Sequence, residues 1–235
     1  MEQISIQIEG IPAVLWGAPS SRAILAVHGS QSSKTDTPIL LLAQTAAARG
    51  WQVLSFDLPE HGDRRGEPTL CKVQNCVAEL ALILRYARQR WSTLGLFANS
   101  LGAYFSLMAY RDEPFQQALF LSPVVDMARL LEQMMNWFQV SEETLEREGT
   151  VPTPMGQPLY WDYYCYVRDH PVERWTAPTK ILYGGRDTLC ERGTILRFTE
   201  RFSCELELVE EAEHYFHTLE QLAVYQSWLE SSLSV

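Results

Sequence analysis

The chain has 235 residues, of which 46% are hydrophobic and 20% are charged, a balance that indicates a globular protein and argues against disorder. Its 19 basic and 29 acidic residues give a formal net charge of −10, which disfavours nucleic acid and anionic membrane surfaces as partners. The sequence contains no run of about 18 consecutive apolar residues, so a membrane-spanning helix is not predicted.

Strands and helices alternate along the first half of the chain. Residues 2–8 alternate polar and apolar side chains, which predicts a strand and not a secretion signal. With residues 13–16 this strand forms a predicted antiparallel hairpin at a sheet edge. Further strands are predicted at 23–27, 51–56, 93–97 and 118–121, and helices at 39–48, 73–89 and 101–110. This alternation predicts an α/β fold with parallel pairing and right-handed crossovers.

The alternation breaks between Val124 and Ala177, a segment rich in aromatic residues and methionine. Prolines divide it, and only its first part, residues 127–148, has a helical pattern. Beyond it, strands are predicted at 179–183 and 205–209, and helices at 191–202 and 215–233. A chain of this length is expected to fold as one domain with at most one insertion.

The cysteines predict the redox environment. Five are present at irregular spacing: Cys71, Cys76, Cys165, Cys190 and Cys204. An odd number, in a chain with no sign of export, predicts reduced thiols in a cytoplasmic protein. Cys71 and Cys76 are too isolated from other paired ligands to predict a zinc site.

The most informative position is Ser100, where a buried strand ending at Phe97 runs directly into an apolar helix beginning at Leu101. A serine at such a junction stands in a sharp, strained turn, and the crowded backbone requires small residues two positions before and after it. Ala98 and Gly102 meet this requirement. The Leu101 N–H, at the start of the helix, would point toward an oxyanion together with the helix dipole. The alternative is an ordinary serine that caps a helix.

The stretch from Ala98 to Gly102 resembles the nucleophile elbow of the α/β-hydrolase superfamily, whose pattern is G-x-S-x-G, with Ala98 in place of the first glycine. The resemblance extends over residues 23–229. It implies the α/β-hydrolase fold, a mostly parallel sheet flanked by helices on both faces, with Ser100 as nucleophile. It also implies a core formed by residues 1–123 and 178–235, and a small inserted lid at 124–177. Aromatic residues and methionines of that lid would line an apolar pocket or pack the lid onto the core.

The superfamily places its acid and its base later in the chain, in the order Ser, Asp or Glu, His. The resemblance therefore implies Asp187 and His214, in segments similar to the family's G-x-x-D and G-x-H-x-F stretches. Both follow predicted strands, at the sheet edge where open α/β sheets gather their sites. His217, expected inside the final helix, is the alternative base, and Asp126 is the alternative acid.

The loop after the strand at 23–27 resembles the superfamily's H-G-x loop, which supplies a second oxyanion donor. The Ser30 backbone N–H is the expected donor, with Gln31 as the alternative. His28 in this loop is expected to hold the loop by hydrogen bonds and not to act as the base.

The loop at 57–62 resembles the family's D-x-P-G-H-G stretch, with Glu60 replacing a glycine. Its expected role is to brace the floor of the active site. A metal site built from His28, His61 and His214 is not expected, because no local i, i+4 pair of ligands with a carboxylate accompanies them.

Together, the resemblance implies a serine hydrolase that cleaves a small-molecule carboxylic ester through an acyl-enzyme. Ser100 would attack the carbonyl carbon, His214 would take the Ser100 proton, and Asp187 would orient the imidazole. The Ser30 and Leu101 amides would hold the oxyanion. No metal and no organic cofactor is required. The alternatives are a thioesterase or small-amide hydrolase on the same residues, or a non-catalytic ligand-binding protein of the same fold.

Overall fold

The computed structural model describes residues 1–233, so the last two residues of the predicted core segment 178–235 lie outside the described residues. In chain order, the strands are β1 Gln3–Ile8, β2 Ile11–Trp16, β3 Arg22–Val27, β4 Gln52–Phe56, β5 Thr93–Asn99, β6 Ala118–Leu121, β7 Thr150–Val151, β8 Leu159–Tyr160, β9 Thr179–Gly184 and β10 Glu205–Val209. Eight of them form the main sheet, in the order β1-β2-β4-β3-β5-β6-β9-β10, and β7 pairs with β8 separately.

The predicted hairpin forms one edge of the main sheet. Glu9 and Gly10 connect β1 to β2 with φ of 50° and 86°, the left-handed conformations that two-residue hairpin turns require. The pairs β1–β2 and β2–β4 are antiparallel, and every other pair of the main sheet is parallel. All strands from β3 onward in that sheet therefore end at the same edge.

Helices cover both faces of the sheet. They are α1 Thr37–Ala48, α2 Val73–Arg88, α3 Leu101–Ala109, α4 Met127–Trp137, α5 Glu142–Glu148, α6 Trp161–Asp169, α7 Arg192–Phe202 and α8 Leu219–Ser232. Along β3, Leu25 packs into a core with α2, α3 and α7, whereas its neighbour Ile24 packs into a second core with α1 and α8. Burial on both faces explains the continuous apolar run of this strand.

The second half of the chain departs from the predicted helices in two places. The segment 127–148 is two helices and not one, because Gln139 adopts a left-handed φ of 56° and the Ser141 hydroxyl accepts the Thr144 N–H at 3.1 Å to start α5. The final helix begins at Leu219 and not at residue 215, because Thr218 and Gln221 form a capping box there. The sequence pattern also missed α6.

The segment 124–177 contributes no strand to the main sheet within the described chain. It lies between β6 and β9 and contains α4, α5, α6 and the β7–β8 pair, with α4 packed against α6. Among residues 1–233, none of the helices is long and apolar enough to cross a membrane.

Candidate active site

Ser100 occupies the turn between β5 and α3 in a strained conformation. Its φ of 51° and ψ of −117° lie in a sparsely populated region that costs of the order of 1–3 kcal/mol. The turn is tight because α3 starts against β3: a Cβ built on Gly102 would stand 2.6 Å from the Val27 carbonyl oxygen. On the other side of the turn, a Cβ on Gly29 would stand 3.1 Å from the Ser100 Cβ. The small residues Gly29 and Gly102 therefore allow two backbone segments, the end of β3 with its following loop and the turn that carries Ser100, to lie in close contact.

The Ser100 hydroxyl begins a chain of hydrogen bonds. Its Oγ lies 2.8 Å from His214 Nε2, and His214 Nδ1 lies 2.7 Å from Asp187 Oδ2. Because a carboxylate only accepts, the imidazole proton is on Nδ1 and Nε2 is left to accept the Ser100 hydroxyl proton. The other Asp187 oxygen accepts the N–H groups of Leu189 and Cys190 at 2.8 and 2.9 Å. The Asp187 side chain is fully buried, so its carboxylate is held in one orientation.

Two glycines bring Asp187 and His214 together. A Cβ on Gly184 would stand 2.5 Å from the Ala212 carbonyl oxygen, and one on Gly185 would stand 2.6 Å from the Glu210 carbonyl oxygen. The loop after β9 therefore lies in backbone contact with the loop after β10, which carries His214. This packing role of the glycines was not predicted, although the two adjacent glycines before Asp187 are its signal in the sequence.

Two backbone segments that carry N–H groups lie beside the Ser100 turn. Leu101 is the first residue of α3, and the N–H groups of the first helical turn have no intrahelical acceptor. The loop after β3 contributes Gly29 and Ser30, which line the same cavity as Ser100.

His28 holds this loop and is not hydrogen bonded to Ser100. Its Nδ1 donates to the Gly29 carbonyl oxygen at 2.7 Å, and its Nε2 accepts the Leu58 N–H at 3.0 Å. Burial lowers the pKa of His28 to about 4, which keeps the ring neutral and suits this pattern of one donor and one acceptor. Both ring nitrogens are engaged, so neither has a lone pair free for a metal.

Comparison with known proteins identifies the architecture. No model of a known protein family matches the sequence, and no curated protein matches it. Est1E from Butyrivibrio proteoclasticus, solved with ferulic acid bound, is 16% identical, and the match covers 97% of this chain and 96% of that protein with a TM-score of 0.74. Mouse alpha/beta hydrolase domain-containing protein 10 is 14% identical over 98% of both chains, with a TM-score of 0.79. An esterase from Pyrococcus furiosus is 17% identical over 98% of this chain and 89% of that protein, with a TM-score of 0.71.

The chain has the α/β-hydrolase fold. The predicted fold class is confirmed by these matches together with the mostly parallel sheet and the helices on both of its faces. Within this fold, Ser100 stands at the start of the helix that follows β5, near the middle of the sheet.

The loop at 57–62 is braced by buried charge. Asp57 accepts the Lys34 N–H and the Asp63 N–H, each at 2.9 Å, and its carboxylate lies 2.5 Å from Lys34 Nζ. Burial opposes the charge of Lys34, but hydrogen bonds to Asp57 and Asp63 outweigh it and raise the pKa of Lys34. Glu60 in this loop has a left-handed φ of 65°, a conformation that favours glycine.

The two alternative residues of the sequence analysis have other partners. Asp126 is the N-cap of α4, where its carboxylate accepts the Arg129 N–H at 3.0 Å. His217 is exposed and lies before α8, not inside it as predicted, because the helix starts only after Thr218. Its Nδ1 donates to the Tyr215 carbonyl oxygen at 2.7 Å. Among Asp126, Asp187, His214 and His217, only His214 is therefore hydrogen bonded to Ser100, and only Asp187 is hydrogen bonded to His214.

Two cavities lie beside the turn that carries Ser100. One, of about 470 Å³, contains Ser100 and His214. The other, of about 460 Å³, is lined by Leu101 and by apolar side chains of α4 such as Leu131 and Met134. Ser30 and Gln31 line both cavities and separate them. The loop after β3 is therefore the shared wall of the two cavities.

The segment 124–177 is hydrogen bonded to that shared wall. Gln31 Nε2 donates to the Met155 carbonyl oxygen at 3.0 Å, and Gln157 Nε2 donates to the Ser30 hydroxyl. These contacts connect the segment 124–177 to the loop after β3, whose Ser30 N–H is predicted to be an oxyanion donor.

Among residues 1–233, one group of three potential metal ligands has its atoms within 4.8 Å of one another: Asp187, Cys190 and His214. Two of them already form the acid–imidazole hydrogen bond. Burial and the nearby Asp187 carboxylate raise the pKa of Cys190, so its thiol stays protonated, and a protonated thiol is a poor metal ligand. The hydrogen-bonded arrangement satisfies these groups without an ion.

Two cysteines lie close together at the start of α2, a contact that was not predicted from the sequence. The Sγ atoms of Cys71 and Cys76 are 3.8 Å apart. Lys72 is the N-cap of α2, so these cysteines occupy the positions before the cap and at the fourth helical residue, which face each other at helix starts. The signal in the sequence is the spacing of five residues between two cysteines at the start of a predicted helix.

Proposed function

We propose that this protein is a serine hydrolase that cleaves a small-molecule carboxylic ester through an acyl-enzyme intermediate. The observation that carries the proposal is the hydrogen-bonded series from the Ser100 hydroxyl through His214 to the buried Asp187 carboxylate. A serine hydroxyl is a weak nucleophile unless a base accepts its proton, and this arrangement supplies the base and fixes its tautomer.

The proposed reaction follows from those contacts. His214 Nε2 takes the Ser100 proton while Oγ attacks the ester carbonyl carbon, and the resulting imidazolium is stabilised by Asp187. The imidazolium then donates its proton to the leaving alkoxide, which departs as an alcohol. A water molecule, deprotonated by the same imidazole, hydrolyses the acyl-enzyme and releases the acid.

The negative charge that develops on the carbonyl oxygen requires donors in place before the reaction. We assign the Leu101 and Ser30 backbone N–H groups to this role. One such donor is commonly worth about 2.7–4 kcal/mol of barrier. The hydrogen bonds of His28 to Gly29 and Leu58 support the assignment, because they hold the loop that carries Ser30.

The two cavities favour an ester with one apolar group of moderate size. The cavity along α4 is walled by leucine and methionine side chains, which suit a short-to-medium acyl chain or an aromatic ring. Est1E, which was solved with ferulic acid bound, shares the fold. An aromatic acyl ester is therefore included among the candidate substrates.

We also propose that residues 124–177 form a lid over the site. The segment is inserted between β6 and β9, and α4 supplies the apolar wall of one cavity. Its hydrogen bonds from Gln31 to Met155 and from Gln157 to Ser30 support a role in setting the position of the Ser30 loop.

The decisive experiment is covalent labelling with a fluorophosphonate probe, followed by peptide mapping. Labelling is expected at Ser100 and is expected to disappear in Ser100→Ala. Ser32→Ala is the matched control, since it removes another hydroxyl from the same cavity and should retain the label. A folded protein that takes no label would favour a non-catalytic ligand-binding role for the fold.

Substrate class is tested by kinetics with acyl esters of graded chain length and with aromatic acyl esters, alongside matched thioesters and amides. We expect the esters to have the highest kcat/KM, with an optimum at short-to-medium or aromatic acyl groups. A higher kcat/KM for the thioesters or amides would retain the mechanism and overturn the substrate class.

A further inference from the structure

The two cysteines at the start of α2 form a close pair beside the proposed acyl cavity. Cys71 Sγ lies 3.8 Å from Cys76 Sγ, so the sulfur atoms would have to approach by less than about 2 Å to reach the S–S bond length of about 2.05 Å. Cys71 is in the loop before the helix, and Cys76 is in its second turn. The pair therefore connects the loop before α2 to a helix that packs in the core.

The two thiols differ in accessibility. Cys71 is partly exposed and lines the cavity of about 460 Å³ that also contains Ser30 and Leu101. Cys76 is fully buried and packs in the core under α2. A small reagent that enters the cavity therefore meets Cys71, whereas the buried Cys76 does not line it.

Polar neighbours favour a thiolate at Cys71. The hydrogen bond with Cys76, opposed by burial and assisted by the hydrogen bond with His61, lowers the pKa of Cys71 to about 6. Burial and the same contact raise the pKa of Cys76, so Cys76 stays protonated and its S–H is the donor of the pair. Burial opposes the charge of His61, but its hydrogen bond with Cys71 outweighs this and raises its pKa.

The loop around Cys71 is held in place for this contact. The Glu60 carboxylate accepts the Cys71 N–H at 2.7 Å, and His61 Nδ1 donates to the Pro59 carbonyl oxygen at 2.7 Å. With Nδ1 engaged, the remaining His61 nitrogen, Nε2, is left for the Cys71 sulfur. The loop at 57–62 therefore positions a nucleophilic thiol in addition to bracing the site.

We propose that Cys71 is a modification site that reacts with peroxides and soft electrophiles entering this cavity, and that Cys76 is its resolving thiol. A peroxide is the oxidant. The Cys71 thiolate attacks one oxygen of hydrogen peroxide, the O–O bond breaks, and the released hydroxide takes a proton from water or buffer, which leaves a sulfenic acid. The Cys76 sulfur then attacks the Cys71 sulfur, an S–S bond replaces the S–O bond, and the hydroxide leaves as water with the Cys76 proton.

This reaction oxidises two thiols by two electrons and reduces one peroxide to two waters. Its consequence is local. The disulfide removes the Cys71 thiolate from His61 and ties the loop to α2, and an alkyl adduct on Cys71 projects into the cavity beside Ser30. Neither step involves the Ser100 hydroxyl, so the proposal is independent of the proposed hydrolase activity.

The test uses the full-length reduced protein and mass spectrometry. With hydrogen peroxide, we expect the intact mass to fall by two hydrogen atoms, peptide mapping to find a Cys71–Cys76 disulfide, and reductant to restore the mass. With limiting N-ethylmaleimide, Cys71 is expected to react about tenfold faster than Cys165 and Cys204. Equal reaction at these three cysteines, or peroxide products without a Cys71–Cys76 bond, would overturn the proposal.

Variants of Cys71 and Cys76 distinguish the reacting thiol from the resolving thiol. Cys76→Ser is expected to accumulate a Cys71 sulfenic acid that dimedone traps, because the resolving thiol is missing. Cys71→Ser is expected to lose both the disulfide and the fast alkylation, and Cys165→Ser is the matched control that keeps both. A Cys76→Ser protein with no dimedone adduct at Cys71 would contradict the assignment of Cys76. The peptide map of the unmutated protein tests the pair even where a variant does not fold.

The role of His61 as a positioning residue is tested by the pH dependence of Cys71 alkylation. In His61→Gln, the midpoint of the pH profile of Cys71 alkylation is expected to move upward from about 6, which a purely structural role would not produce. An unmoved midpoint would remove His61 from the proposal. The ionisable groups that face Cys71 are Cys76, His61, Glu60, Tyr160 and Tyr163.

Discussion

The backbone of Gly102 lies directly against the backbone of Val27: a Cβ at position 102 would stand 2.6 Å from the Val27 carbonyl oxygen. The end of β3 and the start of α3 therefore touch without a side chain between them. This contact places the loop that carries Ser30 next to the turn that carries Ser100. Gly102 is therefore needed both for the packing of α3 against β3 and for the position of the proposed oxyanion donor.

Gly102→Ala is expected to destabilise the protein. A methyl group cannot fit against the Val27 carbonyl without moving α3 or β3, and we expect the thermal midpoint to fall by about 5–10 °C. Gly193→Ala in α7 is the matched control, because its nearest neighbour is the flexible Arg197 side chain at 3.4 Å. It should leave the midpoint unchanged or raise it slightly, since alanine is the better helix former. Equal losses in thermal scans of both variants would contradict the packing argument.

Asp187→Asn is expected to lower kcat for ester hydrolysis by about four orders of magnitude while the fold remains intact. The amide cannot enforce the tautomer in which His214 Nδ1 is the donor, so Nε2 no longer reliably accepts the Ser100 proton. Asp126→Asn is the control, because asparagine is also a good N-cap and should preserve α4 and kcat. Steady-state kinetics distinguish them, and a larger loss in Asp126→Asn would reassign the acid.

His214→Ala is expected to abolish both ester hydrolysis and fluorophosphonate labelling, because no other imidazole lies within hydrogen-bonding distance of Ser100 in residues 1–233. His217→Ala should retain most of the activity, since its ring is exposed and its Nδ1 bonds to the Tyr215 carbonyl. Both rings line the same cavity, so the comparison controls for changes in cavity shape. The reverse outcome in the ester assay would identify His217 as the base.

The buried His28 makes stability depend on pH. Its pKa is lowered from 6.5 to about 4, so between these values the unfolded chain binds a proton there that the folded chain does not. The free energy of unfolding should therefore fall as pH falls through this range, by about 3 kcal/mol from this group. Urea titrations at pH 7 and pH 4.5 measure the effect.

Two variants isolate the contribution of His28. His28→Gln should be less stable than the unmutated protein at pH 7, because the hydrogen bonds to Gly29 and Leu58 are disturbed, but should lose less stability on acidification. His217→Gln should keep the full loss, as its side chain is exposed. An unchanged pH dependence in His28→Gln would show that another group is responsible.

Local sequence patterns were sufficient for most of the fold. Apolar runs predicted the central strands such as β3, because a strand buried on both faces must be continuously apolar. The edge strand β1, which is largely exposed, was instead predicted from its alternation of polar and apolar residues. The bounds of α1 were also predicted from local signals, Pro38 in its first turn and Gly50 beyond its end. Where a boundary depended on a side-chain contact, as with the Thr218–Gln221 capping box, the predicted helix start was wrong.

The sequence by itself determined the residue types and their order: a serine between small residues, then an aspartate after one strand, then a histidine after another. Only the tertiary structure decided which side chains meet, because hydrogen bonding between residues 100, 187 and 214 depends on backbone contacts at Gly102, Gly184 and Gly185. The same holds for the close contact of Cys71 with Cys76 and for the position of Gln157 against Ser30. Periodicity reports which face of an element is buried, whereas such contacts depend on how separate elements pack in three dimensions.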